Sequence, residues 1–263
     1  MPFVKVFGET LTMLRKVFQT SNQASQPFVI SGSGTLGWDQ VAANLSEPGD
    51  DVLVLHTGYF ADSFSDCFET YGVKPTQLKA PIGDRPQLDE IEKALKEKKY
   101  KLITVTHVDT STGVLSEIES LAKLVHKVSP ETLIIVDGVC SVGCEEIKFD
   151  EWGVDCVITA SQKAIGCPAG LSIVMASGRA IETFKNRKTP PNSYFGSWKN
   201  WLPSKSYQID DFLLTDLSTS HAKLRSKEAF ILCNTITSAN PRATHNPNPD
   251  HFGITRVTLR RAP

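Results

Sequence analysis

No cysteine pair in this chain has CxxC spacing, and no cysteines and histidines cluster at zinc-ligand intervals, which excludes a conventional zinc site. The six cysteines, Cys67, Cys140, Cys144, Cys156, Cys167 and Cys233, are scattered, several among apolar residues where a thiol packs as a small hydrophobe. Unpaired thiols of this kind point to an intracellular protein, without distinguishing cytoplasm, peroxisome and mitochondrion. An excess of one charge is also missing. A formal net charge of -1 offers no electrostatic grip to nucleic acid or to an anionic membrane. No apolar run is long enough to span a bilayer. The opening MPFVKVFGETLTMLRK lacks the apolar core of a secretory signal, and its basic amphipathic pattern favours a surface helix over a transit peptide. The phosphate-loop motif GxxxxGK followed by Ser or Thr is absent, which removes the nucleotide hydrolases that depend on it.

What is present suits a globular enzyme. The 263 residues suffice for one large domain, or one with a smaller companion. Short apolar runs at Pro27–Ile30, Val52–Leu55, Leu102–Thr106, Leu133–Val136, Cys156–Ala160 and Leu171–Met175 read as strands. Helical periodicity lies between them, at Phe7–Gln19, Leu36–Leu45, Tyr59–Tyr71, Leu88–Lys98 and Ile118–Val128. Pro75–Pro86 reads as a loop or edge segment, and the lysines of the fourth helix as a solvated face. Strands alternating with helices predict an α/β domain with a mostly parallel sheet, whose strands are buried on both faces and therefore continuously apolar. Ligands of such sheets bind outside the carboxyl ends of the strands. Ser33, Phe60, Ser111, Asp137 and Lys163 all fall there. From about Ser204 the sequence turns polar and irregular; Ala222–Leu232 alone has helical character.

Several residues in these positions carry chemistry. Gly32-Ser33-Gly34-Thr35-Leu36-Gly37 fits GxGxxG between a strand and a helix. A dinucleotide site needs an acid at the end of the next strand, and that strand ends at His56-Thr57. The loop is therefore either a phosphate cradle at a helix N-terminus or a tight turn. Asp137 either caps a turn or faces a ring nitrogen; a carboxylate there keeps a pyridine protonated and makes it a better electron sink. Lys163 is either a surface charge or an amine desolvated by its small and apolar neighbours, hence neutral and nucleophilic. Phe60 is either core or a flat surface for a planar ligand.

Together, SGSGT from Ser31, STGVL from Ser111, VDGVCSVG from Val136 and SQKAIGCPAG from Ser161 resemble the class V, fold type I pyridoxal-phosphate aminotransferases, in particular those acting on alanine and glyoxylate or serine and pyruvate. The likeness runs from Phe7 to Trp201. It implies a three-layer large domain over residues 1–203, with residues 204–263 as an atypical tail in place of the family's C-terminal small domain. It implies pyridoxal 5'-phosphate as cofactor, an amino acid and a 2-oxo acid as substrates, a homodimer, and transfer of the amine of alanine or serine to glyoxylate. Lys163 would bond the cofactor aldehyde as a Schiff base and carry the proton. Asp137 would pair with the pyridine nitrogen. Val139 and Phe60 would pack on opposite ring faces. Ser33, Gly34, Thr35 and Gln162 would hold the phosphate, and Ser111 would approach the ring hydroxyl.

The chain also departs from the family pattern. A proline-glycine-proline turn before the first helix has no counterpart, nor does the arginine that clamps the substrate carboxylate. Arg256, Arg260 and Arg261 do not stand in its context. These departures lead to the expectation of a chain truncated at both ends. The alternatives are an inactive cofactor-binding fragment, or a cysteine desulfurase. Phe60 in place of a stacking histidine argues against the latter.

Overall fold

A computed structural model of the chain describes residues 2–202. The expectations for residues 204–263, the helix at Ala222–Leu232 and the three C-terminal arginines among them, lie outside the described residues.

The apolar runs form the sheet. In chain order the strands are β1 (Gln26–Ser31), β2 (Asp51–His56), β3 (Lys74–Lys79), β4 (Leu102–Thr106), β5 (Val108–Asp109), β6 (Val114–Leu115), β7 (Leu133–Asp137), β8 (Cys156–Ala160) and β9 (Leu171–Ala176). The helices are α1 (Pro2–Val17), α2 (Leu36–Leu45), α3 (Tyr59–Thr70), α4 (Leu88–Glu97), α5 (Ile118–Val128), α6 (Phe149–Trp152) and α7 (Gly178–Lys185). Seven strands make one sheet in the order β1-β9-β8-β7-β4-β2-β3, and β5 and β6 form a separate hairpin. β9 runs antiparallel to β1 and β8; the remaining pairs are parallel. The carboxyl ends of β1, β2, β4, β7 and β8 therefore emerge at one edge.

Helices cover both faces, and strand alternation assigns each residue to a face. Ile103, Val105, Ile134, Val136 and Val157 pack with Ile91 and Leu95 of α4, Leu121 and Val125 of α5, and Phe18 just beyond α1. Leu102, Leu133, Ile135, Cys156 and Ile158 pack against Trp38, Val41 and Leu45 of α2 and Phe64 and Phe68 of α3. Trp198 is buried on this second side, stacked on Phe28 with ring centroids 4.7 Å apart. This is the expected three-layer α/β architecture.

Some local details extend or correct the expectations. The segment read as a loop or edge segment over Pro75–Pro86 begins within an edge strand, β3, which starts at Lys74 and runs parallel to β2. Its sequence KPTQLK is only half-buried, so it lacks the apolar run that marks the central strands, and an edge position tolerates its proline. The loop after β4 contains the β5–β6 hairpin, which has two residue pairs. α7 was not expected; the side chain of Ser177 caps it by accepting from the Ala180 amide at 3.0 Å. α1 begins at Pro2 rather than Phe7 and ends two residues before Gln19.

Candidate active site

The shared strand edge gathers the sequence-flagged residues through short connections. After β1 the chain turns directly into α2, with Leu36, Gly37 and Trp38 amides donating to the carbonyls of Ser33, Gly34 and Thr35. No hydrogen bond among the described residues uses the amides of Ser33, Gly34 or Thr35 themselves. The hydroxyls of Ser33 and Thr35 bond each other, and both residues are exposed. Gly34 is buried, and a Cβ there would lie 3.0 Å from Cγ2 of Val139 and 3.4 Å from Cβ of Ala160. The loop after β1 is thereby seated against the ends of β7 and β8.

Asp137 ends β7 on the α2 side of the sheet, since Leu133 and Ile135 share that face. The residue is 4% exposed. One oxygen accepts the Trp38 indole N–H at 2.9 Å and the other the Val139 amide at 3.1 Å. No lysine or arginine among the described residues pairs with it. Burial pushes its pKa up to about 6; the Val139 and Trp38 bonds act against that rise, and the nearby charge of Asp109 adds to it. A carboxyl with two neutral donors and no cation lacks the compensation that buried charges usually have.

Phe60 lies half-buried in the first turn of α3, edge-on to Tyr59, whose ring is exposed. Its backbone segment is held to Ser111: the Tyr59 amide donates to the Ser111 hydroxyl at 3.1 Å. His107 follows β4, and its amide donates to the Asp137 carbonyl at 3.0 Å, extending the ladder by one bond. Its side chain is 5% exposed and Nδ1 has no partner. Desolvation lowers its pKa to about 4, so the ring is neutral at physiological pH.

Gln162 and Lys163 sit directly after β8, where they were expected. They are exposed and make no side-chain hydrogen bond or ion pair among the described residues. Of the two readings of Lys163, surface charge or desolvated amine, the exposed side chain agrees with the first. β8 is buried through Ser161, whose hydroxyl donates to the Pro168 carbonyl at 2.7 Å and accepts from the Leu171 amide at 3.2 Å. These bonds close the 161–171 loop on itself, and residues 162–164 project outward from the edge.

The structure thus brings Gly34, Val139, Asp137, Ser111 and the Phe60 segment into one contiguous edge, with Lys163 on the neighbouring turn. Sequence reasoning missed Trp38, Thr57, His107 and Asp109. Helical spacing puts Trp38 on one side of the helix with Val41, Ala42 and Leu45 and names no partner for it. The available signal was its indole N–H, which needs a partner when buried. His107 and Asp109 follow the Leu102–Thr106 run, but nothing in the sequence distinguishes them from solvated polar residues.

The family profile of class-V aminotransferases matches residues 3–193. Alanine–glyoxylate aminotransferase 1 of Saccharomyces cerevisiae is 46% identical over 208 residues, covering 76% of this chain and 54% of that protein. L-aspartate–glyoxylate aminotransferase of Paracoccus denitrificans is 32% identical over 191 residues, covering 72% and 48%. The crystal structure of alanine–glyoxylate aminotransferase from Nostoc sp. superposes with a TM-score of 0.73 at 31% identity, covering 88% of this chain and 59% of that one. The chain spans about half the length of the curated relatives it matches. With a matched profile over most of its described length and this fold, the chain belongs to the class-V aminotransferase family.

Proposed function

We propose that this chain catalyses transamination with pyridoxal 5'-phosphate, moving the amine of alanine or serine onto glyoxylate to give glycine and the 2-oxo acid of the donor. The observation that carries the reading is Asp137: a buried carboxyl without a cation, at the strand edge where such folds bind ligands. A protonated ring nitrogen is the partner that would compensate it. The 46% identity to a relative named alanine–glyoxylate aminotransferase supports the same choice of substrates.

The residues present fit the cofactor's donor and acceptor chemistry. The amides of Ser33, Gly34 and Thr35 and the hydroxyls of Ser33 and Thr35 would take the phosphate at the start of α2, where the helix dipole favours negative charge; Gln162 would add its amide. Val139 and Phe60 offer apolar surface for the ring. Ser111 would meet the ring hydroxyl. Bound pyridoxal 5'-phosphate supplies an electron sink for the pair released when the donor's α-hydrogen leaves. Lys163 would anchor the aldehyde through Nζ and, once displaced by the incoming amine, carry the proton at that atom. Asp137 would hold the ring nitrogen protonated. Residues 1–203 would form the cofactor-binding domain and 204–263 a separate tail. The working assembly would be a homodimer, and the five unbridged cysteines among the described residues support an intracellular setting.

The test uses the purified full chain. Added pyridoxal 5'-phosphate is expected to give a visible absorbance band, and borohydride is expected to fix a pyridoxyl group on the peptide containing Lys163. Lys163→Ala removes both. Glycine and pyruvate should accumulate from alanine and glyoxylate. No band and no fixed group in the wild-type chain would sink the cofactor reading. A fixed group without glycine would leave a cofactor-binding protein that does not turn over.

A further inference from the structure

Asp109 is completely buried, at the end of β5. One of its oxygens accepts the Ser111 amide at 3.0 Å and the Ser111 hydroxyl at 2.6 Å; the other accepts the Thr57 hydroxyl at 3.0 Å. Two further bonds join the same segments. The Tyr59 amide donates to Ser111 Oγ, and the Thr112 hydroxyl donates to the Thr57 carbonyl at 2.9 Å. One carboxyl thus stands where the chain leaving β2 meets the chain leaving β4. The approach is tight. A Cβ on Gly58 would come within 2.4 Å of Ser111 Oγ and 2.8 Å of the Asp109 carboxyl, so the segment can pass only as glycine.

This arrangement constrains the residues expected to face the cofactor. The single proton of the Ser111 hydroxyl is committed to Asp109, and one of its lone pairs accepts from Tyr59. Ser111 can therefore present only a remaining lone pair to a ligand. Phe60 follows Tyr59 directly, so its ring starts from a backbone fixed by the same network. Removing Asp109 would leave the buried Thr57 hydroxyl without its acceptor, where unmade hydrogen bonds cost most, and would release the part-buried amide and hydroxyl of Ser111 from their shared anchor.

We propose that Asp109 is a positioning residue: it locks the Thr57–Phe60 segment and Ser111 into the single arrangement that receives the ring of pyridoxal 5'-phosphate. The role rests on the cofactor reading above and adds to it a residue that touches only the residues around the ring. Asp109 also places negative charge near Asp137, consistent with its belonging to the same electrostatic unit.

The experiment compares full-length wild-type chain, Asp109→Asn and Thr57→Val. Without cofactor, hydrogen exchange is followed in peptides covering residues 57–60 and 109–113. Asp109→Asn is expected to speed exchange there about tenfold, with β4 and β7 unchanged. Thr57→Val, which removes only one of the bonds, should give a smaller change in the same direction. In titrations with pyridoxal 5'-phosphate, the Kd of Asp109→Asn should rise about tenfold, the order expected from losing one hydrogen bond to a charged group. If Asp109→Asn does not fold, Thr57→Val carries the test through its own faster exchange and weaker binding. Unchanged exchange in a folded variant overturns the proposal, and so does faster exchange with unchanged affinity. A wild-type chain that takes up no pyridoxal 5'-phosphate overturns the cofactor reading instead.

Discussion

At the residue scale, Asp137 concentrates the conflict between burial and charge. Its folded pKa of about 6 lies above the ordinary 3.8 because burial penalises the ionised form. An acid with a raised folded pKa adds stability that is fully present below its unfolded value and lost as pH rises through the folded one. The cofactor-free chain should therefore lose about 3 kcal/mol relative to Asp137→Asn between about pH 4 and about pH 7. Urea unfolding of the two proteins across that range measures the difference, and a flat difference would refute the ionisation of a buried, uncompensated carboxyl. Asp137 and its strand-end position were legible in the sequence. Its bond from Trp38 was not, because the two residues stand 99 positions apart, and a helical wheel shows only that Trp38 faces inward. Lys163 was legible as a position but not as an environment: its small and apolar neighbours left burial and exposure both open, and the loop folds on itself and leaves the side chain out.

At the element scale, the approach of α2 to the sheet decides where the loop of Ser33, Gly34 and Thr35 sits. Gly37 is buried in the first turn of α2, and a Cβ there would stand 2.2 Å from Cγ2 of Ile158 on β8. Gly37→Ala should force the helix off the sheet and destabilise the chain by roughly 2–3 kcal/mol, as overpacking does. Truncating the neighbour should relieve part of this, so Gly37→Ala with Ile158→Ala should be less destabilised than the two single variants summed. Denaturant midpoints of the three variants check it, and strict additivity would remove the steric explanation. The central strands could be read directly because both their faces are covered, making them apolar throughout. β3 read only as a loop or edge segment because an edge strand has one open side and a half-buried, polar sequence. α7 escaped because its eight residues carry only two buried side chains, Ala180 and Ile181, too few to set a period.

At the scale of the whole molecule, Tyr59, next to Phe60 at the strand edge described above, is 67% exposed. With the proposed homodimer, such surface would be covered by a second copy. Light scattering of the full chain should give roughly twice its 28.9 kDa mass, and Tyr59→Lys should shift the balance toward the monomer. A monomer at every concentration tested would refute the assembly.

The sequence by itself determined the layered α/β architecture and the edge at which chemistry-bearing residues collect. Both follow from local rules: apolar runs bury on two faces, helices alternate with them, and polar residues end the strands. Only the tertiary structure decided which of those residues touch. Trp38 reaches Asp137, Gly34 packs on Val139, and Asp109 ties Thr57 to Ser111. These contacts join separate strand ends, and strand order, unlike strand existence, is set by packing between segments distant in the chain. A buried carboxyl and a solvated one look the same in sequence; what separates them is the neighbours that the fold supplies.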